Sequence, residues 1–488
     1  MSHGLPDPNQ PLKMQYFDSG RGWLLARRGW HVAVVIMVLT GLVGGFIWSN
    51  DLPEQAADGG LSRLGARTLA IFLAAVVLWV TEAVPLVVTG LGVFVALVAG
   101  GIGSPAQVSA WFGDRVVFFL LGIFLIAGAL TASHVVDHAA LRLLNAIGTS
   151  PRKLRQGVYW VAFFASFVLA EHAVAAMLFP VIARIRDALG RPRQSSTYVS
   201  GLFLALAWGC SIGGIVTYLG GARIALAMGI AQAKGIAVPG FFELMAMSLP
   251  IAIPLGIIAA IILEIAFPID VPNVTQAREA LAERRRDLGR FGPRQRAVLA
   301  ILIATIAAWA YFGVSYLAPV ALASAAVLIG TGLSRWREVE RHVPWDLLIM
   351  EAGALALCAA MQNTGASVWA GHLAFANIGQ NPLLIIGAIA LFTIILTELF
   401  SNPAVVTLLV PLLIAAAPSL GFQGQEMALV LAVALPCGLS FVLPLGSPPL
   451  AIAFASGEYK VAKVAGWGVL LDLIPVPLTM AAFWFFWS

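Results

Sequence analysis

Charge is scarce in this 488-residue chain. Only 11% of its residues are Asp, Glu, Lys or Arg, against about 25% in soluble domains, which excludes an ordinary water-soluble enzyme. Cysteine is scarcer. Cys210, Cys358 and Cys437 fall in apolar stretches without CxxC spacing, which argues against a disulfide framework or metal cluster and leaves packing as their role. HExxH, GxSxG and Walker motifs are missing from the sequence, so hydrolytic and ATP-driven chemistry lack their parts. Apolar residues fill the chain instead, at 60%, with a mean hydropathy of +0.91. At about 20 apolar residues per crossing, there is room for about ten membrane segments joined by short loops. The expected fold class is an all-α polytopic membrane protein.

The 29 bases and 24 acids leave a net charge of +5, and position matters more than the surplus. Residues 1–30 are polar and basic, with Lys13, Arg21, Arg27 and Arg28, and lack the apolar core of a signal peptide. The positive-inside rule puts this segment in the cytoplasm. A first transmembrane helix and an outer loop with Asp51, Glu54 and Asp58 then occupy 31–67. Seven arginines crowd 278–296, and "AREALAERRRDLGRF" reads as an amphipathic helix. Such a segment belongs at an anionic membrane surface rather than on nucleic acid. It divides the chain into a first repeat (68–268), a cytoplasmic linker (269–296) and a second repeat (297–488).

The halves echo each other. "AEHAVAAMLFP" (170–180) returns as "SNPAVVTLLVP" (401–411), and 120–144 returns as 351–375. Block 157–183 has basic flanks on both sides: Arg142, Arg152, Lys153 and Arg155 before it, Arg184, Arg186, Arg191 and Arg193 after it. It should therefore start and end on the cytoplasmic side, as a re-entrant hairpin. Its counterpart, 382–417, has no basic flank and should enter from outside. Two opposed hairpins, each followed by a broken helix, describe two inverted-topology repeats with a binding site where the tips meet.

At the first tip Glu171 and His172 interrupt an apolar run; at the second stand Ser401, Asn402 and Pro403, just after Glu398. A Glu at membrane depth costs about 2.5–3.5 kcal/mol on insertion scales, so a substrate or proton site is the favoured reading over helix capping at the interface. The broken helices read "CSIGGIVTYLGGARIAL" and "FVLPLGSPPLAIAF". Unwinding there would offer backbone groups to a ligand, with half-helix N-termini favouring anions. Arg223 follows the first break and needs a carboxylate partner, since snorkelling is hard that far from either helix end.

"WVTEAVPLVVTGLGVF" (79–94), the two hairpin motifs, "GGIVTYLG" (213–220) and "FVLPLGSPPLAIAFASG" (441–457) resemble the divalent anion/sodium symporter family, carriers of di- and tricarboxylates or sulfate. The resemblance runs from about residue 68 to the end of the chain. It implies a homodimer in which part of each protomer moves elevator-fashion. It also implies Ser-Asn-Thr tips that bind Na⁺ and substrate, from which this chain departs. Ala170-Glu171-His172 and Ser401-Asn402-Pro403 occupy the tips, and Gly221-Ala222-Arg223-Ile224 and Ser447-Pro448-Pro449-Leu450 replace Thr-Pro-Pro-Asn.

Expected substrate-binding residues are Glu171, His172, Arg223, Ser401, Asn402, Ser447 and Pro448. Expected ion-coupling residues are Glu171, His172, Thr217, Ser401, Asn402 and Gly446. Arg223 stands in for the first Na⁺, balanced by Glu171 or substrate, and His172 suits proton coupling. No cofactor is expected; the coupling ion is H⁺, or Na⁺ at the second-repeat site. The implied protein is a multi-pass transporter of the plasma (inner) membrane, not an enzyme, taking a small anion as its partner and no nucleic acid. Competing readings are a sulfate or sulfonate transporter with residual Na⁺ coupling, an exchanger, and a membrane enzyme using Glu171 and His172 on a lipid-linked anion. His134 and His138 share i, i+4 spacing without further ligands. Asp114-Arg115 reads as a loop ion pair, Glu82 as scaffold, and Glu351 as a helix-start residue without assigned role.

Overall fold

The computed structural model describes residues 21–54, 60–81, 83–146, 150–190, 196–367, 369–370, 381–444 and 446–487, and every regular element among them is helical. The stretch before residue 21, together with Asp58, Glu82, Arg191 and Arg193, lies outside the described residues.

The chain opens with α1 (Arg21–Ser49), α2 (Arg63–Thr81), α3 (Leu86–Ala99), α4 (Pro105–Phe112) and α5 (Arg115–Ala132). Sequence punctuation sets their starts. Ser104 and Gln107 form a reciprocal capping box at α4. Asp114 caps α5 by accepting from the Val116 amide at 2.8 Å. That replaces the loop ion pair with Arg115, because orphan amides at a helix start attract a carboxylate.

Next come α6 (Val135–Ala146), α7 (Pro151–Ala165), α8 (Glu171–Ala188), α9 (Thr197–Gly213) and α10 (Ala222–Ala233). α11 (Phe241–Ala266) precedes the arginine-rich α12 (Thr275–Leu288), which stops at Gly289 with φ +78°. Arg294 and Arg296, grouped with the linker by sequence, sit in α13 (Pro293–Phe312). α14 (Leu317–Gly330), the single turn α15 (Trp336–Val339) and α16 (Trp345–Asn363) follow. A second hairpin, α17 (Pro382–Leu399) and α18 (Asn402–Ala416), leads to α19 (Glu426–Ala434), α20 (Pro448–Phe454), α21 (Val461–Leu473) and α22 (Pro475–Ala482).

Seven described helices are long and apolar enough to cross a membrane, fewer than the ten or so that composition allows. The difference lies in interruptions. Chain breaks at 214–221 and 435–447 cut what would be longer segments into helices of 7–17 residues. The hairpin arms have 15 and 18 residues in the first case, 18 and 15 in the second. At 1.5 Å per residue they reach about 22–27 Å, short of an untilted crossing of about 30 Å.

α9 is the axis of the molecule. Every residue from Tyr198 to Gly213 is buried, against α7, α8, α11 and α20. A separate cluster joins α3 to α16, which pack closely where Gly353 meets the Gly90 backbone. A Cβ on Gly353 would lie 2.8 Å from the Gly90 Cα, so this is a small-residue crossing. Outward faces stay apolar: Ile257, Ile261 and Ile265 recur at four-residue spacing on α11, 47%, 53% and 63% exposed. An isoleucine stripe left open this way needs lipid rather than water against it.

Some flank bases are not surface charges. Arg155 is fully buried; its Nη2 lies 2.6 Å from Glu264 Oε2, another Nη bonds the Phe267 carbonyl, and the guanidinium stacks over Tyr198. Gln156 donates to the same Glu264 at 2.7 Å. Arg186 pairs with the buried Glu458 at 3.4 Å.

Candidate functional site

Two chain interruptions meet in the interior, and each is shaped by glycine. Glu171 opens α8, and its amide donates to the Gly220 carbonyl at 2.9 Å. Hairpin tip and broken helix are thereby joined through their backbones. The Glu171 carboxylate takes both Arg223 Nη groups, at 2.5 and 3.0 Å, with both side chains nearly inaccessible. This fork-to-fork geometry is the strongest form of an Arg–carboxylate contact. Glycine makes room for it. A Cβ on Gly214 would stand 3.1 Å from Glu171 Cβ, and one on Gly221 would stand 2.7 Å from Arg223 Nη1. Thr217 locks the break by donating to the Phe167 carbonyl at 2.6 Å while accepting from the Leu219 amide.

The second interruption is built differently. Asn402, at the start of α18, accepts through Oδ1 from Thr397 Oγ1. Thr397 Oγ1 in turn accepts from the Gly438 amide at 3.2 Å. Gly438 has φ +85°, and a Cβ there would fall 2.5 Å from Arg223 Cζ and 2.8 Å from Asn402 Nδ2. Arg223 from the first half and Asn402 from the second therefore meet over one glycine. Glu398 accepts three backbone amides of the unwound strand, from Phe441 (2.8 Å), Val442 (3.0 Å) and Leu443 (2.7 Å). Asp472 of α21 accepts from the same Phe441 amide at 3.0 Å.

The remaining expected residues sit as follows. Ser447 caps α20 and lies 3.2 Å from Ser211 Oγ, tying the end of α9 to the second broken helix. Gly446 packs against Ser440 and the Thr397 carbonyl. Pro448 is exposed in the first turn of α20. His172 is half-buried beside Glu171, with Asp346 of α16 in electrostatic reach. The structure thus gathers Glu171, Arg223 and Asn402 in one place; Gly446 and Ser447 are buried within the second break, and Pro448 is exposed.

Polar atoms without a partner mark where a ligand would be welcome. Among the described residues, Arg223 Nε, Ser401 Oγ and Ser440 Oγ are buried and make no hydrogen bond. Each such atom costs about 1–3 kcal/mol if left unmet. Arg223 Nε donates, which suits an anion. The two serine oxygens, with the carbonyls of the break, are the hard donors a Na⁺ ion takes. Beside Glu171 a cation does not fit, because the guanidinium already fills that role. Sequence reasoning passed over Thr397, Gly438, Ser440 and Asp472. Asp472 carried a readable signal, as the one acid in the apolar block 464–487. Glu351 of α16 is fully buried, and neither carboxyl oxygen bonds a described residue.

Comparison with known proteins places this architecture. A family model described as "Citrate transporter" matches residues 76–434. The sodium-dependent dicarboxylate transporter SdcS of Staphylococcus saprophyticus is 27% identical over 452 residues, 87% of this chain and 86% of that protein. A protein of Haemophilus influenzae described as an uncharacterized transporter is 30% identical, over 94% of this chain and 98% of its own length. The structure of MtrF from Neisseria gonorrhoeae, described among antimetabolite efflux pumps, aligns with a TM-score of 0.54. That alignment covers 92% of this chain and 94% of that one at 15% identity, a likeness of fold alone. With most of its length matched by the family model, the chain belongs to the citrate transporter family and is a multi-pass membrane transporter of the divalent anion/sodium symporter type, not an enzyme.

Proposed function

We propose that this protein is a secondary active transporter of small multivalent anions, chiefly di- and tricarboxylates, driven by protons or by counter-exchange rather than strictly by Na⁺. One observation carries the reading: Arg223 lies buried at the meeting of the two interruptions, already gripping a carboxylate, that of Glu171. A group that binds an internal carboxylate bidentately recognises an external one by the same geometry. Support comes from the relatives named as dicarboxylate transporters and from the family's description as citrate transporters.

In this reading Glu171 and the substrate compete for Arg223. Asn402 and Ser401 receive the other end of the anion, while Thr217, Gly446 and Ser447 hold the two breaks in shape. His172, beside Glu171, is the group in this reading that would carry a coupled proton. The two halves act as inverted repeats, the hairpins move with the bound anion elevator-fashion, and two protomers associate. The unpaired Ser401 and Ser440 oxygens favour one variant of the reading, in which a residual Na⁺ binds at the second break.

The test is succinate uptake into proteoliposomes under separately imposed Na⁺ and pH gradients. Uptake is expected to follow the pH gradient or internal succinate and to persist without Na⁺. Arg223→Gln should reduce it about a hundredfold or more, the scale of breaking a buried charge pair. Strict Na⁺ dependence with indifference to pH would overturn the coupling, and undiminished uptake by the variant would make Arg223 structural.

A further inference from the structure

Away from the carboxylate site, two cavities of opposite character adjoin. The first, of ≈ 830 Å³, lies among α6, α12 and the start of α13. It is lined by His138, Arg142, Arg285, Arg286, Arg290 and Phe291, together with small apolar residues. The second, of ≈ 630 Å³, runs along the outer face of α7 past Trp160, Phe164 and Val168 to Leu302 of α13. They share three lining residues, Val135, Ala139 and Leu299, so the basic chamber opens directly into the apolar groove. No described acid lines either one. The groove is open outward at Phe164, which is 53% exposed.

Four guanidinium groups around one chamber repel one another, and without an anion the arrangement has no described counter-charge in its wall. Guanidinium forks fit phosphate oxygens bidentately. A free phosphate or nucleic acid would satisfy the arginines but has nothing to lay along Trp160 and Phe164. A neutral lipid would fill the groove but needs no guanidinium. A molecule with a phosphate head and a hydrocarbon tail uses both.

We propose that the joined cavities hold one anionic phospholipid, its phosphate-bearing head among Arg142, Arg285, Arg286 and Arg290 and an acyl chain against Trp160, Phe164 and Val168. The site is independent of the transport reading. It has a structural consequence nonetheless: α12 packs on both α6 and α8, and α8 is the helix that begins at Glu171. A lipid clamped to α12 therefore bears on the arm that carries the buried acid.

Native mass spectrometry and thermal-shift titration of the detergent-purified protein test this, with phosphatidylglycerol, phosphatidylcholine and inorganic phosphate as separate probes. One tightly retained phosphatidylglycerol is expected, with stabilisation that phosphatidylcholine and phosphate do not reproduce. Arg285→Gln with Arg286→Gln should weaken retention by roughly twenty-fivefold, about fivefold for each base. Ala139→Trp, which blocks the neck between the chambers, should displace the lipid with all charges kept. Arg335→Gln with Arg337→Gln, an equal charge change at exposed positions elsewhere, should leave binding intact. Equal stabilisation by phosphatidylcholine, a full shift with inorganic phosphate alone, retention by the Ala139→Trp variant, or equal loss in the control pair would each overturn the proposal.

Discussion

Gly438 has φ +85° and no space for a side chain, since its Cβ would overlap Arg223 and crowd the Asn402 amide. Gly101 offers the comparison that isolates this contact, with φ +70° and nothing within 4 Å of its Cβ position. Gly101→Ala should lower stability by about 1 kcal/mol, the backbone cost of a left-handed alanine. Gly438→Ala should cost about 1–3 kcal/mol more through overpacking and should abolish succinate uptake, because Arg223 has to move. Melting curves and uptake on the two variants check this, and equal behaviour would mean that the two halves do not meet at Gly438. At this scale the sequence was partly legible. Glu171 and Arg223 stand out as charges in apolar runs, and a carboxylate was expected to balance Arg223. Gly438 does not stand out, because its importance comes from two residues 36 and 215 positions away in the chain, which only the fold brings together.

At the scale of elements, each hairpin needs an anchor for its short arms, and for α7 that anchor is charged. Arg155 is buried while Glu264 on α11 takes contacts from Arg155, Gln156 and Arg152. Removing one partner strands the other. Arg155→Met should destabilise by about 3–5 kcal/mol, and the double change Arg155→Met with Glu264→Met should recover most of that loss. Thermal unfolding of the single and double variants measures the coupling directly; additive losses would show that the pair does not act as a unit. The same pair explains a limit of sequence reading. Arg155 counted as a topological marker because a flank base is normally wet, and nothing local reveals that Glu264, 109 residues on, removes it from water. Helix breaks were legible because glycine and proline act locally on the backbone, as at Gly213–Gly221 and Pro444–Pro449. Asp114 was misread for a similarly local reason: helix capping and ion pairing both recruit a carboxylate, and only the position of Val116 N decides between them.

Across the whole molecule, stability should respond to pH through a group far from the carboxylate site. Burial holds His138 below the ordinary imidazole value of 6.5, with His134 and Arg285 adding to the effect and Asp137 opposing it; Arg142, Arg286 and Arg290 share its chamber. Below pH 6.5 the unfolded chain accepts a proton that the folded protein resists, so stability falls as pH drops through that window. His138→Gln should flatten this acid limb in neutral detergent. An anion in the chamber favours the charged imidazole, so phosphatidylglycerol should shrink the difference between variant and parent. Melting temperatures from pH 7 downward, with and without that lipid, provide the check. The membrane class of the molecule was legible from composition alone, since 11% charge leaves few alternatives. The number of crossings was not, because hydropathy does not distinguish a full span from two halves separated by an unwound turn.

The Glu171–Arg223 pair has an electrical consequence. With its own carboxylate in place the guanidinium adds no net charge to the body that carries it. Moving one elementary charge through a membrane potential involves about 2.3 kcal/mol per 100 mV, and an unpaired arginine would meet that work on every empty return. In the proposed elevator reading, the self-neutralised pair adds no such work to a return without substrate, and the voltage acts through the charge of the anion and of any protons that travel with it.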